Sequence, residues 1–121
     1  PGAAGLAAGI SIVERKGTDA IFRREHIQAE KLSRDLRNLG FRVFAGEHQA
    51  GTVSFQGKRD CEEIAAYLGK RGIAVRAGLH CAPLAHESAG TIAQGTVRVS
   101  FGHEANDGQR RALVKELAQM G

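Results

Sequence analysis

The sequence predicts an α+β fold, a small and mostly antiparallel sheet with helices packed on one face. Three observations carry this reading. Helical and strand periods come in segregated blocks, in the order α, α, β, β, α, β, β, α, rather than in a regular β–α alternation. The strand-like runs are short, rich in β-branched or aromatic residues and bounded by glycines. The chain has 121 residues, 42% hydrophobic and 25% charged, which suits one domain with one core over residues 1–121.

The elements follow in order. Gly2 to Arg15 reads as a helix with Leu6, Ile10 and Val13 on one stripe. Its many glycines and alanines make it thin, able to approach a neighbour closely at a cost in intrinsic stability, and with Lys16 it forms a linking helix over residues 1–16. Gly17 stops it, and Thr18 is placed to cap a second helix, Asp19 to Leu39. There Ala29, Leu32, Leu36 and Leu39 recur at steps of three and four. After Gly40 the period changes. Phe41 to Phe44 and Thr52 to Phe55 read as a hairpin around the turn material from Gly46 to Gly51. Asp60 caps a helix from Cys61 to Lys70 whose inner face is Cys61, Ile64, Ala65 and Leu68. Gly72 breaks it, and Ile73 to Arg76 reads as a short strand. Gly78 to Thr91 is loop or short helix. Thr96 to Phe101 alternates Val97, Val99 and Phe101 against Thr96, Arg98 and Ser100, a strand with one buried face. Asn106 with Gln109 makes a capping box for a last helix, with Leu113, Val114 and Leu117 facing in.

Several function classes are disfavoured. The net charge is +4, but the arginines are scattered among carboxylates and no basic run is interleaved with aromatics, so nucleic acid is not an expected partner. No apolar run approaches the roughly 20 residues of a membrane span, and the apolar opening stretch has no basic leader, so it reads as a helix rather than a signal peptide. The two cysteines, Cys61 and Cys81, are far apart and form no C-x-x-C spacing, which argues against a disulfide framework and for a reducing, cytoplasmic setting. The five histidines show no ligand spacing, and no metal site is expected. His26 and His48 read as surface residues, and His103 directly follows the last strand.

The most unusual stretch is Val75 to His86, VRAGLHCAPLAH. It leaves a strand and enters a glycine-containing loop, where reactive groups are commonly displayed. His80 precedes Cys81, with Arg76 and His86 nearby in sequence. A cysteine among cationic or protonatable groups tends toward the nucleophilic thiolate; equally, free cysteine is among the most buried residue types, and residue type leaves both readings open. Cys61, on an apolar helical stripe, reads as core. Arg98, in mid-strand, can hold a carboxylate in a bidentate fork or simply face solvent from the open side of a sheet.

The run from Gly72 to His86, followed by Gly95 to Gly102 (GTVRVSFG), resembles the C-terminal region of class V aminotransferase-fold enzymes, and within them the cysteine desulfurases and selenocysteine lyases. The opening residues Pro1 to Gly9 resemble the helix that follows the large domain in that family, so the likeness covers nearly the whole chain. It implies the C-terminal small domain of a pyridoxal-phosphate (PLP) enzyme that removes sulfur from L-cysteine, giving alanine and an enzyme persulfide. By motif match Cys81 is the sulfur-accepting cysteine, Arg98 binds the substrate carboxylate, Arg76 faces the same site, and His80 supports the cysteine. The implied partners are the large PLP-binding domain of the same protein, a second subunit in a homodimer and a sulfur-acceptor protein.

Two departures from the family pattern matter. One branch has two histidines before the cysteine, whereas the first of the pair here is Leu79. The family's cofactor lysine follows a histidine, and none of Lys16, Lys31, Lys58, Lys70 or Lys115 does, so the chain alone is expected to be inactive. Two other readings stand beside this one: a selenocysteine lyase or other class V enzyme, and a free-standing α+β module that binds a small ligand or a protein.

Overall fold

A computed structural model describes residues 1–121. Five helices, α1 (Gly2–Lys16), α2 (Thr18–Asn38), α3 (Cys61–Gly69), α4 (Pro83–Ala89) and α5 (Asp107–Met120), combine with four strands, β1 (Arg42–Phe44), β2 (Thr52–Gln56), β3 (Arg76–Gly78) and β4 (Thr96–Ser100). The strands form one sheet in the order β1-β2-β4-β3 with every pairing antiparallel. This is the α+β architecture the sequence predicts.

Strand alternation gives the sheet two unlike faces. Val53, Phe55 and Val97 point to one side and are fully buried, under Leu36 of α2 and Ile64 and Leu68 of α3. Phe41 adds an edge-to-face contact with Phe55 at 5.0 Å between ring centres. Leu113 and Leu117 of α5 complete the core. Ion pairs of Asp107 with Lys31 and of Arg110 with Asp35 fasten α5 to α2 at its rim. Helix ends follow the sequence in two places: Asp60 accepts from the Glu62 N–H, and Asn106 and Gln109 form the reciprocal capping box.

Three local expectations are corrected. Thr18 does not cap α2; the N-cap is Gly17, whose φ of 78° lets one residue end α1 and begin α2. Leu39 lies beyond the end of α2 and is exposed, so the buried stripe closes at Leu36. The third strand begins at Arg76 instead of ending there, because Ile73 and Val75 lean on the core before the chain comes into register with β4. The segment after Gly78, expected as loop or short helix, contains the short helix α4, opened by Pro83 in its first turn and closed by Gly90 in the left-handed conformation. Helix α1 meets α2 at the Gly17 junction and has no buried residue; Leu6, Ile10 and Val13 are exposed.

Candidate active site

The second face of the sheet carries the chemistry. Register places Arg98 of β4 directly between Ser54 of β2 and Arg76 of β3, and Ser54 in turn faces Phe44 of β1. Two arginines as direct cross-strand partners repel one another and are destabilising in isolation. An anion seated between them reverses the sign. Arg98 is half-buried and its Nε is sealed from solvent without a protein partner, whereas Arg76 is exposed. The pair therefore offers one held guanidinium and one reaching guanidinium on the same surface.

The segment from Leu79 to Gly95 folds over one end of this face. Its base is pinched where Gly95 meets Gly78: a side chain at Gly95 would come within 3.0 Å of Gly78 backbone atoms, and both glycines have positive φ. Three side chains from the open face hold the segment. His80 Nε2 lies 3.2 Å from Thr96 Oγ1, Arg42 donates to the Ala89 carbonyl at 2.9 Å, and Gln56 donates to the Gly95 carbonyl at 3.1 Å. Thr96, which alternation alone would leave facing solvent, is buried beneath this cover.

At the start of the segment His80 and Cys81 have φ of 52° and 59°, the two non-glycine residues of the chain with positive φ. Such a conformation costs on the order of 1–3 kcal/mol per residue and persists only where surrounding contacts enforce it. Here it turns Cys81 outward: Cys81 is exposed while Cys61 is buried on the helix side. Cys61 sits 6% exposed, and burial pushes its thiol up from the ordinary value. His80 is pushed the other way, below the ordinary imidazole value, first by burial and then by the positive charge of Arg98. It stands neutral near pH 7, with Nδ1 sealed and unpartnered.

The structure thus brings Arg76, His80, Cys81 and Arg98 to one end of one sheet face. Sequence reasoning missed His86 and Thr91, which form a buried polar pair beneath α4 with His86 Nδ1 2.8 Å from Thr91 Oγ1. It also placed His26 on the surface, whereas His26 is half-buried, stacked on Phe22 and 2.8 Å from the Gln49 carbonyl. His103 is half-buried beside Glu104, away from the sheet face that bears Cys81. A cavity of about 570 Å³ lies between α2, α5 and the stretch from Val99 to Asn106, and contains none of Arg76, His80, Cys81 and Arg98. The paired arginines and Cys81 sit instead on an open surface.

No group of three or more His, Cys, Asp or Glu side chains is arranged to hold a metal ion. No helix is long and apolar enough to cross a membrane. As for a cofactor, neither the sheet strands nor the segment from Leu79 to Gly95 contains a lysine. Lys31 is engaged with Asp107, and Lys16, Lys70 and Lys115 belong to α1, the end of α3 and α5. The two arginines give this surface the positive charge to hold an anion.

Comparison with known proteins gives the family. The aminotransferase class-V family model matches residues 1–109. A probable cysteine desulfurase of Halalkalibacterium halodurans is 40% identical over 83 residues, covering 67% of this chain and 20% of that protein. One from Pyrococcus abyssi is 34% identical over 105 residues, covering 83% of this chain and 25% of the relative. The structure of a cysteine desulfurase from Thermococcus onnurineus superimposes with a TM-score of 0.89 at 31% identity, over 96% of this chain and 30% of that one. The chain spans about a quarter or less of the length of these curated relatives. With the match running from α1 through the first turn of α5 and including both the cysteine loop and the arginine strand, the chain belongs to the class V aminotransferase family.

Proposed function

We propose that this chain is the C-terminal small domain of a PLP-dependent cysteine desulfurase, which moves sulfur from L-cysteine onto Cys81 and releases alanine. The observation that carries this reading is the placement of an outward-turned cysteine on a loop tied to the strand that bears Arg98. Cofactor and lysine come from the remainder of the protein; PLP, when bound, supplies the electron sink that weakens the substrate's carbon–sulfur bond. The isolated chain is inactive on this reading.

The residues here have distinct tasks. Arg98 takes the substrate carboxylate in its planar fork, and Arg76, directly opposite, adds positive charge. His80, bonded to Thr96, holds the loop that carries Cys81; the exposed thiol loses its proton to solvent, and the thiolate attacks the substrate sulfur. A sulfur–sulfur bond forms and the carbon–sulfur bond breaks. Its electron pair stays on carbon, which takes up a proton to become the methyl group of alanine, leaving a persulfide on Cys81. No outside oxidant or reductant is needed. The surplus positive charge that makes the arginine pair unfavourable alone is what the substrate carboxylate neutralises.

The test uses the full-length protein. Cys81→Ala removes the nucleophile and is expected to lower alanine release by roughly a thousandfold or more, with L-cysteine still bound. Arg98→Ala removes a charge-assisted contact of about 2–3 kcal/mol, a loss of about 30- to 150-fold in kcat/KM, seen partly in KM. Arg98→Lys recovers only part of it, since ammonium lacks the fork. Normal alanine release by Cys81→Ala would overturn the assignment.

A further inference from the structure

Helix α4 presents a physical puzzle. Seven residues are too few for a helix to be stable by itself. It has no side-chain N-cap, and its large apolar residue, Leu84, is 76% exposed. Its one buried residue is His86, at 7% exposure. A helix that buries only a histidine is not held by apolar packing. What holds it is hydrogen bonding. His86 Nδ1 is 2.8 Å from Thr91 Oγ1, the Thr91 N–H donates to the His86 carbonyl at 2.8 Å, and the Gly95 N–H donates to the Thr91 carbonyl at 2.8 Å. Thr91 is 2% exposed, so the pair is shielded from competing water. The His86 ring also lies 6.0 Å from the His80 ring, next to Cys81.

We propose that His86, locked by Thr91, is a positioning residue that fixes where the Cys81 thiol stands. The proposal rests on the desulfurase reading for its kinetic consequence and on geometry alone for its structural one. The left-handed backbone at His80 and Cys81 is unfavourable and has to be enforced from both sides. Before it, the restraint is the Gly78–Gly95 pinch with His80 on Thr96. After it, the Ala82 N–H donates to the Leu79 carbonyl, and then α4 is anchored through His86 and Thr91, with Arg42 on the Ala89 carbonyl at its far end. Without the His86–Thr91 anchor α4 is tied to the sheet only at that far end, and the turn at Cys81 relaxes toward ordinary φ. The thiol is still exposed and still reactive, but no longer aimed. A nucleophile displaced by about 1 Å loses up to about 100-fold in rate. Arg98, on its own strand, keeps its substrate contact.

The test compares His86→Ala, His86→Asn and Thr91→Val in the full-length protein with its cofactor. Asparagine carries a polar atom near the place of Nδ1; valine removes only the Thr91 hydroxyl while keeping a branched side chain. Two readouts are taken. The first is single-turnover persulfide formation on Cys81 with L-cysteine, alongside the KM for cysteine. His86→Ala and Thr91→Val are expected to slow persulfide formation by about 10- to 100-fold with KM changed less than about twofold, and His86→Asn to recover most of the rate. The second is amide hydrogen exchange over residues 79–95, which needs no activity. Exchange is expected to quicken there in His86→Ala and Thr91→Val and to stay unchanged over β2 and α3. Unaltered exchange and rate in Thr91→Val would overturn the proposal, as would a KM that rises as much as the rate falls. If the wild type forms no persulfide, the desulfurase reading fails, while the exchange result still decides the anchor.

Discussion

Cys61 and Cys81 stand on opposite sides of the same short strand and share almost nothing else. Cys61 opens α3, is 6% exposed, and has its thiol against the backbone of Gly78, the last residue of β3. Cys81 lies three residues beyond Gly78, on the other side of the sheet, exposed and with φ of 59°. The first is a small apolar filler: burial keeps its proton on, and only the thiolate is a nucleophile. The second gains nothing from packing and is held in an unfavourable backbone conformation. The two cysteines therefore differ in backbone placement and exposure rather than in residue type: Cys61 is hidden, and Cys81 is displayed at a conformational cost.

Three measurements break or sharpen that contrast. The largest effect is expected in brief alkylation of the native protein read by mass spectrometry. Cys61 reacts only through local opening, and an opening free energy of about 3 kcal/mol puts it about 100-fold behind Cys81. Equal labelling would mean that α3 opens freely or that the Cys81 loop is closed. Next comes stability. Cys61→Ser buries a hydroxyl in an apolar site and is expected to lower unfolding free energy by about 1–3 kcal/mol in urea titration, whereas Cys81→Ser is expected to stay within about 0.5 kcal/mol of the parent. A reversed order would exchange their roles.

The smallest effect is one of pH. Burial and then Arg98 lower the affinity of folded His80 for a proton, so the unfolded chain protonates first, near its ordinary value of 6.5. Stability from this group is present above that value and is lost as pH falls from 6.5 toward the lower folded value. Thermal melts at pH 7.5 and pH 5.5 are expected to show a smaller acid loss in His80→Gln, whose amide can still reach Thr96 but does not titrate. An identical loss in both proteins would show that His80 is not the group responsible.

Much of this organisation was legible in the chain itself. The stripe of Ala29, Leu32 and Leu36, the alternation of Val97 and Val99 against Arg98, and the cap at Asp60 are local signals, and each specifies its element through period or hydrogen bonding alone. Cys81 and Arg98 stood out by motif resemblance. His86 did not, because nothing in its sequence neighbourhood separates a buried histidine from an exposed one; its burial depends on Thr91 and on the sheet face below. Likewise, Ile73 and Val75 look like strand, but their partner residues lie beyond the end of the β3–β4 pairing.

The sequence by itself determined most of the helices and strands, the apolar face of the main elements, and which cysteine belongs to the core. Those are matters of short-range periodicity and solvent transfer, and they are set before any two elements meet. Only tertiary structure decided that Arg76 stands opposite Arg98, that His80 is pressed against Thr96 and kept neutral, and that Cys81 is held outward in a left-handed turn. Each of these requires strand register or the folding of the Leu79–Gly95 segment onto the sheet. Contacts between residues distant in sequence have no local signature, and an unfavourable backbone conformation persists only after the surrounding contacts exist to hold it.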